Sequence, residues 1–294
     1  MTRVTVVGDV MLDVVARASG PTQPTSDTPA AVHVGRGGSA ANAAMRLAAA
    51  GCAVTFVGAV GRDDVGRLVR LAFERAGVET LLLEVDEPTG VVVALVDEVG
   101  QRAMYTSRGA NRRLSLDHVD RALDRPADHV HVSGYTVLDD ETRSVGQGAL
   151  DLARARVDSV SIDACSVGPL SRIGPGVFLA ATASATTLFA NEEEAVVLGG
   201  GSLNDALCEL GERYREVVVT LGALGAVVRS AGTSERAPSI AREIVDTTGA
   251  GDAVTGAYLA ARLRGESARE ALDAAMAAAG RVVGGLGADG QSRR

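Results

Sequence analysis

Short apolar runs alternate with amphipathic segments along most of the chain. Apolar runs bounded by turn residues lie at 4–7, 53–57, 130–132, 160–162, 188–190 and 217–221, as expected for buried parallel strands. Apolar positions with helical spacing recur at 65, 68, 69, 72, 73 and 76, and again at 268, 271, 272, 275, 276 and 279. This order of strands and helices predicts a doubly wound α/β fold with a mostly parallel sheet.

Two regions lack the helices that the rest of the pattern contains. Met11–Ala18 with 30–34, and Gly90–Val96 with Arg102–Ser107 around a turn at 98–100, have the pattern of paired strands. We interpret them as a small β-sheet, formed by about residues 11–34 and 89–108, that covers the carboxyl ends of the parallel strands as a lid. An extension of the sheet edge is the alternative. The whole chain, 1–294, is predicted to be a single domain.

Composition excludes several chemistries that use a lysine. All 29 residues in the Lys+Arg count are arginine, so the 294-residue chain contains no lysine. A Walker-type phosphate loop, a protein-kinase ATP site and a Schiff-base enzyme each need a lysine amine. The sequence therefore excludes these classes. A hydrophobic fraction of 46% is nevertheless sufficient for a large core.

Charge and cysteine content predict a cytoplasmic protein. With a net charge of −8 and no basic cluster, neither nucleic acid nor an anionic membrane is an expected partner. Cys52, Cys165 and Cys208 lie far apart without metal-site spacing, which favours reduced thiols. The N-terminal residues lack the pattern of a signal peptide, and the longest uncharged stretch, 173–191, is interrupted by glycine and proline.

The clearest chemical motif is the segment 246–252, Asp-Thr-Thr-Gly-Ala-Gly-Asp. Apolar residues with helical spacing follow it, so its glycines are expected at the start of a helix. Free N–H groups and the helix dipole can bind an anion there without a lysine. Asp252 is then either an ordinary first-turn acid or, beside a bound phosphate, a general base for an attacking hydroxyl.

A second glycine pair, Gly37 and Gly38, precedes the first predicted helix. The segment lacks the third glycine of the dinucleotide-binding motif, which disfavours a dinucleotide-dependent oxidoreductase. Glycines let the backbone approach a ligand, and the Asn42 amide both donates and accepts hydrogen bonds, as binding of a polyol requires. A tight turn explains the pair equally well.

Together these motifs resemble the signatures of the PfkB, or ribokinase-like, carbohydrate kinase family. Three further segments resemble family elements in the same order: 8–13 resembles the opening strand with a sugar-contacting aspartate, 191–194 the Asn-x-x-Glu motif, and 220–225 the Thr-Leu-Gly-x-x-Gly nucleotide segment. The resemblance covers nearly the whole chain. It implies a ribokinase-like three-layer α/β/α sandwich with a mostly parallel central sheet and a small β-sheet lid.

The resemblance also implies ATP and Mg²⁺ as cofactors. Asp252 is the expected base for the acceptor hydroxyl, and the amides of Gly249, Ala250 and Gly251 are the expected anion hole for the transferred phosphoryl group. The residues with implied nucleotide contacts are Asn191, Thr220, Gly222, Gly225 and Thr248.

Cation sites are implied at two places. Asn191 and Glu194 are expected to hold Mg²⁺, largely through water. An N-cap with a first-turn acid is the alternative for this pair, and both roles can coexist. Asp246 and the backbone at 285–288 are the expected site of a monovalent cation such as K⁺.

For the sugar acceptor, the resemblance implies contacts from Asp13, Gly37, Gly38 and Asn42. Arg108 would bind a carboxylate or phosphate of the substrate if it faces the site, although an exposed arginine is the more common case. His129 and His131 alternate on one predicted strand and are interpreted as core histidines rather than metal ligands.

The predicted function is an ATP-dependent kinase for a ribose- or fructose-like sugar or a sugar acid. A nucleoside (adenosine-like) kinase and a catalytically silent kinase-like binding protein are the alternatives. Segments 37–42 and 163–166 depart from ribokinase and fructokinase patterns, which leaves the acceptor open. Free sugar is favoured over nucleoside, with sugar phosphate third. Lid edges also predict a homodimer.

Overall fold

A computed structural model describes residues 1–21, 25–97, 102–241 and 249–284. The strands are β1 (Arg3–Val7), β2 (Met11–Ala18), β3 (Ala30–Gly37), β4 (Ala53–Gly61), β5 (Glu79–Val85), β6 (Gly90–Val96), β7 (Arg102–Ser107), β8 (His129–Val132), β9 (Val160–Asp163), β10 (Thr187–Asn191), β11 (Glu216–Thr220), β12 (Ala226–Ser230) and β13 (Thr233–Ala237). The helices are α1 (Ser39–Ala49), α2 (Asp64–Arg75), α3 (Leu116–Leu123), α4 (Tyr135–Leu138), α5 (Arg143–Arg154), α6 (Val167–Ile173), α7 (Pro175–Ala181), α8 (Glu192–Gly199), α9 (Leu203–Gly211), α10 (Ala250–Leu263) and α11 (Ala268–Val283).

Nine strands of the described chain form a large sheet in the order β13-β12-β11-β10-β9-β8-β1-β4-β5. The strands from β11 to β5 in this order are parallel, and β12 and β13 extend the sheet antiparallel. The six strands predicted from apolar runs are confirmed as β1, β4, β8, β9, β10 and β11. Their carboxyl ends meet at one edge, where ligands bind in open α/β sheets.

Strands β5, β12 and β13 have no counterpart in the sequence prediction. The residues of β13 before Ala237 are all exposed, so this strand carries no apolar signal. The turn between β12 and β13 places Ala231 and Gly232 at φ +47° and +78°, as tight hairpins require. Strand β5 lies at the other edge of the sheet and is only half-buried.

Apolar side chains are buried on both faces of the large sheet, which gives three layers. One core includes Val119 of α3, Leu150 of α5 and Leu207 of α9. The other includes Leu47 of α1 and Leu272 of α11. The predicted α/β/α sandwich is therefore confirmed. None of the helices in the described segments is both long and apolar enough to cross a membrane.

The second sheet contains the four described strands β3-β2-β6-β7. The predicted pairs β2 with β3 and β6 with β7 are confirmed, and both are antiparallel. Strand β2 joins the two pairs because it also pairs parallel with β6. The turn at 98–100 lies outside the described residues. Large apolar side chains are exposed on this sheet at Val32, Val34, Leu95, Met104 and Tyr105.

The packing of α1 against α10 depends on a glycine. Gly256 of α10 is buried against α1, and a Cβ placed there would lie 2.5 Å from Arg46 Cβ. Two residues later, the buried Tyr258 donates a hydrogen bond to Glu216 Oε2 at 2.8 Å, and Arg262 pairs with Glu216 Oε1 at 2.6 Å. These contacts fix α10 on the sheet beside α1.

His129 and His131 are fully buried between β1 and β9. His129 Nε2 and His131 Nδ1 both lie 2.8 Å from Ser161 Oγ. Burial, with a smaller contribution from the neighbouring His131, lowers the pKa of His129 to about 3. Neutral, serine-bonded rings agree with the interpretation of these residues as core histidines.

Gly256→Ala is expected to force α1 and α10 apart, because a helix backbone cannot move as a flexible side chain does. Overpacking of this kind costs about 1–3 kcal/mol of unfolding free energy. Thermal denaturation should therefore show a lower Tm. Gly176→Ala in α7, where a Cβ meets open space, is the matched control and should keep or raise the Tm. An unchanged Tm for Gly256→Ala would contradict the packing argument.

Candidate active site

The carboxyl edge of the large sheet collects polar residues from several elements. Asp9 follows β1, Asp163 ends β9 and Asn191 ends β10. Ser39 begins α1, and Asp252 lies in the first turn of α10. Residues that are far apart in sequence thus become neighbours because parallel strands end on the same side.

Two cavities open at this edge and share Asp252. The larger has a volume of about 970 Å³, and its wall includes Asp13, Gly38, Asn42, Arg108 and Gly249. The smaller, of about 140 Å³, is lined by residues that include Asn191, Glu194 and Thr220. Both are lined by Ser39, Cys165, Gly251 and Asp252. The larger volume is typical of a small-molecule site.

Asp252 contacts two side chains of α1. Its Oδ2 accepts a hydrogen bond from Asn42 Nδ2 at 2.9 Å, and its Oδ1 lies 2.9 Å from Ser39 Oγ. Burial raises the pKa of Asp252 to about 7; the hydrogen bond from Asn42 opposes this increase, and the negative charge of Asp163 adds to it. A carboxyl group that titrates near neutral pH in a cavity wall is suited to proton transfer.

A buried arginine orients the Asn42 amide. Arg36 Nη1 donates to Asn42 Oδ1 at 2.7 Å, so the amide nitrogen is directed at Asp252. Arg36 is only 8% exposed, and its guanidinium carbon lies 5.9 Å from the centroid of the Phe73 ring. Sequence reasoning missed Arg36 because an arginine between glycines carries no pattern of burial.

Asp163 is a second acidic residue that sequence reasoning did not assign to the site. Its Oδ2 lies 2.6 Å from Ser39 Oγ, and its Oδ1 accepts from the Gly134 amide at 2.6 Å and from Cys165 Sγ at 3.0 Å. Burial raises the pKa of the Cys165 thiol, which therefore remains a donor. A signal existed, since Asp163 ends a buried strand as Asn191 does.

Asn191 and Glu194 form the capping box of α8. Asn191 Oδ1 accepts from the Glu194 amide at 2.8 Å, and Glu194 Oε2 accepts from the Asn191 amide at 2.9 Å. The N-cap alternative is therefore present in the structure. Burial raises the pKa of Glu194 to about 7. Both residues also line the smaller cavity, and their oxygens are the hard donors that Mg²⁺ prefers.

Helix α10 begins at the floor of both cavities. Its N-cap, Gly249, has a left-handed conformation with φ +74°. Among the residues that the structure describes, the amides of Ala250, Gly251 and Asp252 have no hydrogen-bond acceptor. A Cβ at Gly251 would meet open space. This helix start therefore fits an anionic group such as phosphate.

Two glycines shape the wall that carries Asp13. A Cβ at Gly37 would lie 2.0 Å from the Asp13 carboxyl, so only glycine lets Asp13 pack against this strand. Gly38 has φ +95°, and a Cβ there would lie 2.7 Å from the Asp9 carbonyl oxygen. Gly38 and Asp13 line the larger cavity. Gly37 lies outside that lining and leaves space for the Asp13 carboxyl group.

Arg108 faces the larger cavity. Its side chain is 14% exposed, its guanidinium carbon lies 4.6 Å from the centroid of the Tyr135 ring, and Nη2 donates to the Tyr135 carbonyl at 3.3 Å. Asn111 fixes the backbone here by donating to the Arg108 carbonyl at 3.0 Å and to the Val10 carbonyl at 2.9 Å. A cation is thus held in the cavity wall.

The residues predicted to bind the nucleotide differ in how exposed they are. Thr220 lines the smaller cavity, and a Cβ at Gly222, with φ +57°, would meet open space. Gly225 is buried, and a Cβ there would lie 2.0 Å from the Ala237 carbonyl oxygen, so packing of the β11–β12 turn requires this glycine. Thr248, Asp246 and the segment 285–288 lie outside the described residues.

Comparison with known proteins identifies the family. The model of the pfkB family of carbohydrate kinases matches residues 1–293. An ATP-dependent ribose-1-phosphate kinase from Halopiger xanaduensis is 32% identical over 98% of this chain and 94% of its own length. A D-beta-D-heptose 7-phosphate kinase from Bordetella bronchiseptica is 32% identical over 97% of this chain and 92% of its own.

A solved structure has the same fold. A ribokinase II-type protein from E. coli, in complex with ATP and Mg²⁺, aligns with a TM-score of 0.85 and 25% identity, covering 100% of this chain and 96% of that one. The chain therefore belongs to the pfkB family of carbohydrate kinases. It is an ATP-dependent sugar kinase, a phosphotransferase with a hydroxyl group as acceptor, and its cofactors are ATP and Mg²⁺.

The raised pKa of Asp252 predicts a pH dependence of stability. Its native pKa, about 7, lies above its ordinary value of 3.8, so the unfolded chain loses this proton first and stability falls as pH rises through that interval. Asp252→Asn removes this pH-dependent loss of stability, because the amide does not titrate. At about pH 8 the ligand-free variant should have a Tm several degrees above wild type, and at about pH 4 the two should agree. Equal Tm values at both pH values would contradict the raised pKa.

Proposed function

We propose that the protein phosphorylates a hydroxyl of a small sugar held in the larger cavity, with Asp252 as the general base. The position of Asp252 carries this proposal, because the residue lines both cavities. A hydroxyl on one side and a phosphate on the other can therefore both approach the carboxyl group.

On the acceptor side, Asp252 takes the proton of the attacking hydroxyl while the phosphoryl group passes to that oxygen. Asn42, held by Arg36, keeps the carboxyl group oriented. Asp13 and the backbone at Gly38 bind sugar hydroxyls. A direct contact from Gly37 stays a prediction. Orientation matters here because general-base catalysis requires hydrogen-bond contact between base and hydroxyl.

On the phosphate side, the amides of Gly249, Ala250 and Gly251 stabilise the charge that develops on the transferred group. Asn191 and Glu194 would hold Mg²⁺ through water, and the bound ion would neutralise phosphate charge. Thr220 and Gly222 contact the nucleotide. Roles of Gly225 and Thr248 in nucleotide binding, and a monovalent cation at Asp246 and 285–288, stay predictions.

We also propose that the four-stranded sheet, from about 11–34 and 89–108, acts as a lid within a single domain, 1–294. Asp13 lies on β2 and Arg108 directly follows β7, so closure would bring both toward the sugar. Closure also excludes water and thereby suppresses hydrolysis of ATP.

The cavity wall favours a sugar over a nucleoside. Tyr135 is the aromatic residue of this wall among the described residues, and Arg108 already covers its ring. Tyr105 on the lid is 62% exposed. A nucleoside base would need an aromatic face on which to stack.

A phosphorylated sugar is a second candidate acceptor. Arg172 lines the larger cavity, and its guanidinium has no hydrogen-bond or ion-pair partner among the described residues. Arg112 and Arg143 in the same wall are instead paired with Asp139 and Asp140. Both relatives named above are kinases of sugar phosphates. An unpaired guanidinium suits a phosphate substituent.

Surface and thiol chemistry support the remaining expectations. The exposed apolar residues of the lid sheet, which include Val32, Val34 and Met104, support a homodimer through the lid. Cys52, Cys165 and Cys208 are free thiols, which supports a cytoplasmic protein. The acidic net charge supports the absence of nucleic acid and membrane partners.

Asp252→Asn should lower kcat by a factor of about 10²–10⁴ while sugar and ATP binding are kept, because only the proton acceptor is removed. A coupled ADP-release screen over pentoses, hexoses, sugar acids, sugar phosphates and nucleosides measures this, with the variant as the blank. Calorimetric titration checks that binding persists. Turnover near that of wild type would rule out Asp252 as the base.

Arg172→Gln should raise KM about tenfold or more for a phosphorylated sugar and leave KM for its unphosphorylated analogue unchanged. The loss is specific because only the phosphate contact is removed. Arg154→Gln, which alters an exposed arginine paired with Asp158, is the matched control. Equal effects on both acceptors would exclude a phosphate subsite at Arg172.

A further inference from the structure

Ser39 lies between two carboxyl groups. Its Oγ is 2.6 Å from Asp163 Oδ2 and 2.9 Å from Asp252 Oδ1. A serine hydroxyl carries one hydrogen and an ionised carboxylate carries none, so Ser39 can donate to one of the two groups. The other contact is a hydrogen bond when that carboxyl group holds a proton.

The surroundings of Asp163 indicate where the serine proton points. The Gly134 amide and the Cys165 thiol both donate to Asp163 Oδ1, as they would to an ionised carboxylate. The 2.6 Å contact has the length of a hydroxyl-to-carboxylate bond, about 2.5–2.7 Å, and the 2.9 Å contact to Asp252 is longer. The serine proton therefore belongs to the Asp163 contact, and Asp252 is the donor to Ser39.

We propose that Ser39 joins Asp252 and Asp163 into one proton-sharing pair, in which Ser39 and Asp163 are positioning residues that govern when Asp252 can accept the proton of the sugar. This inference rests on the role proposed above for Asp252. It assigns a role to residues that neither sequence motif includes as a catalytic group.

The proton movements balance within the pair. At rest the two carboxyl groups carry one proton between them, and this proton lies on Asp252. This proton moves from Asp252 Oδ1 to Ser39 Oγ as the serine proton moves to Asp163 Oδ2, which leaves Asp252 ionised and Asp163 neutral. Asp252 then accepts the sugar hydroxyl proton, and one of the two protons leaves to solvent through the larger cavity. The relay itself breaks and forms only O–H bonds.

The charged neighbours of Asp252 make this sharing necessary. Asp163 and Asp252 both contact Ser39 Oγ, and two negative charges so close together disfavour simultaneous ionisation, as in other carboxylate pairs. Groups that face Asp252 from the surrounding elements are Asp9 after β1, Asp163 and Cys165 at the end of β9, Glu194 at the start of α8, and Arg36 acting through Asn42.

Two substitutions should move the acid limb of the kcat/KM profile to lower pH. Ser39→Ala removes the acceptor of the Asp252 proton, which favours the protonated carboxyl group in the wild type, so the limb should fall by about one pH unit. Asp163→Asn removes the negative charge, so the limb should move to lower pH. Ser39→Thr keeps the hydroxyl and should retain the wild-type limb.

The same shifts are measured without turnover. Infrared titration of the ligand-free protein follows its carboxyl groups, and the difference from Asp252→Asn assigns the Asp252 band. This band should titrate at lower pH than in the wild type in both Ser39→Ala and Asp163→Asn. Thermal denaturation verifies that each variant is folded. Ser184 and Asp151 form an exposed serine-to-carboxylate contact elsewhere, so Ser184→Ala and Asp151→Asn are matched controls that should move neither readout.

A rise of the acid limb in Ser39→Ala, as expected if Ser39 donated to an ionised Asp252, or no shift in either variant would overturn the proton-sharing pair. A purely structural role of Ser39 would lower kcat without moving the acid limb, which also overturns it. Normal turnover of Asp252→Asn with responsive carboxyl bands would instead contradict Asp252 as the base and leave the shared proton supported. Failure of the two proposals is therefore distinguishable.

Discussion

Carboxyl groups crowded at the carboxyl edge of the sheet are the constraint on which the site depends. Asp9, Asp163 and Asp252 come from separate elements, and each is stabilised differently. Asp9 accepts from the Ser39 and Ala40 amides at the start of α1, at 3.2 and 3.4 Å. Asp163 accepts from Gly134 and Cys165. Burial raises the pKa of the Asp252 carboxyl group, and the negative charge of Asp163 adds to this increase. Crowding thus raises the proton affinity of Asp252 at the expense of stability.

The absence of lysine limits the groups with which this chain can bind anions. We propose that backbone amides at the start of α10 bind phosphate, where other nucleotide enzymes use a flexible ammonium group. Arginines supply the remaining positive charge, and the fold separates their tasks: Arg36 is buried and orients Asn42, while Arg108 and Arg172 line the acceptor cavity. Because a guanidinium is planar and stays charged, each of these arginines donates its hydrogen bonds in fixed directions.

Much of the fold was predictable because burial on two faces leaves continuous apolar runs. Strands β2, β6 and β7 have the predicted bounds, and the central parallel strands were all recognised. Strand β5 at one edge of the sheet was missed, and so were β12 and β13 at the other end. Strand β13 is mostly exposed, and β12 and β13 depend on hairpin pairing rather than on apolar pattern. In the site, Asp252, Asn42 and Asn191 were identified through family motifs. Ser39, Asp163 and Arg36 were not, because their importance lies in contacts with one another.

The sequence by itself determined the α/β class, the family and the absence of lysine from any phosphate site, since these depend on local pattern, motif and composition. Tertiary structure alone decided that Ser39 contacts both Asp163 and Asp252, which are 124 and 213 positions away along the chain. It also decided that Arg108 faces the larger cavity and that Asn191 caps α8 while lining the smaller cavity. The physical reason is that proton affinity and hydrogen-bond direction depend on distances between elements, which no single segment encodes.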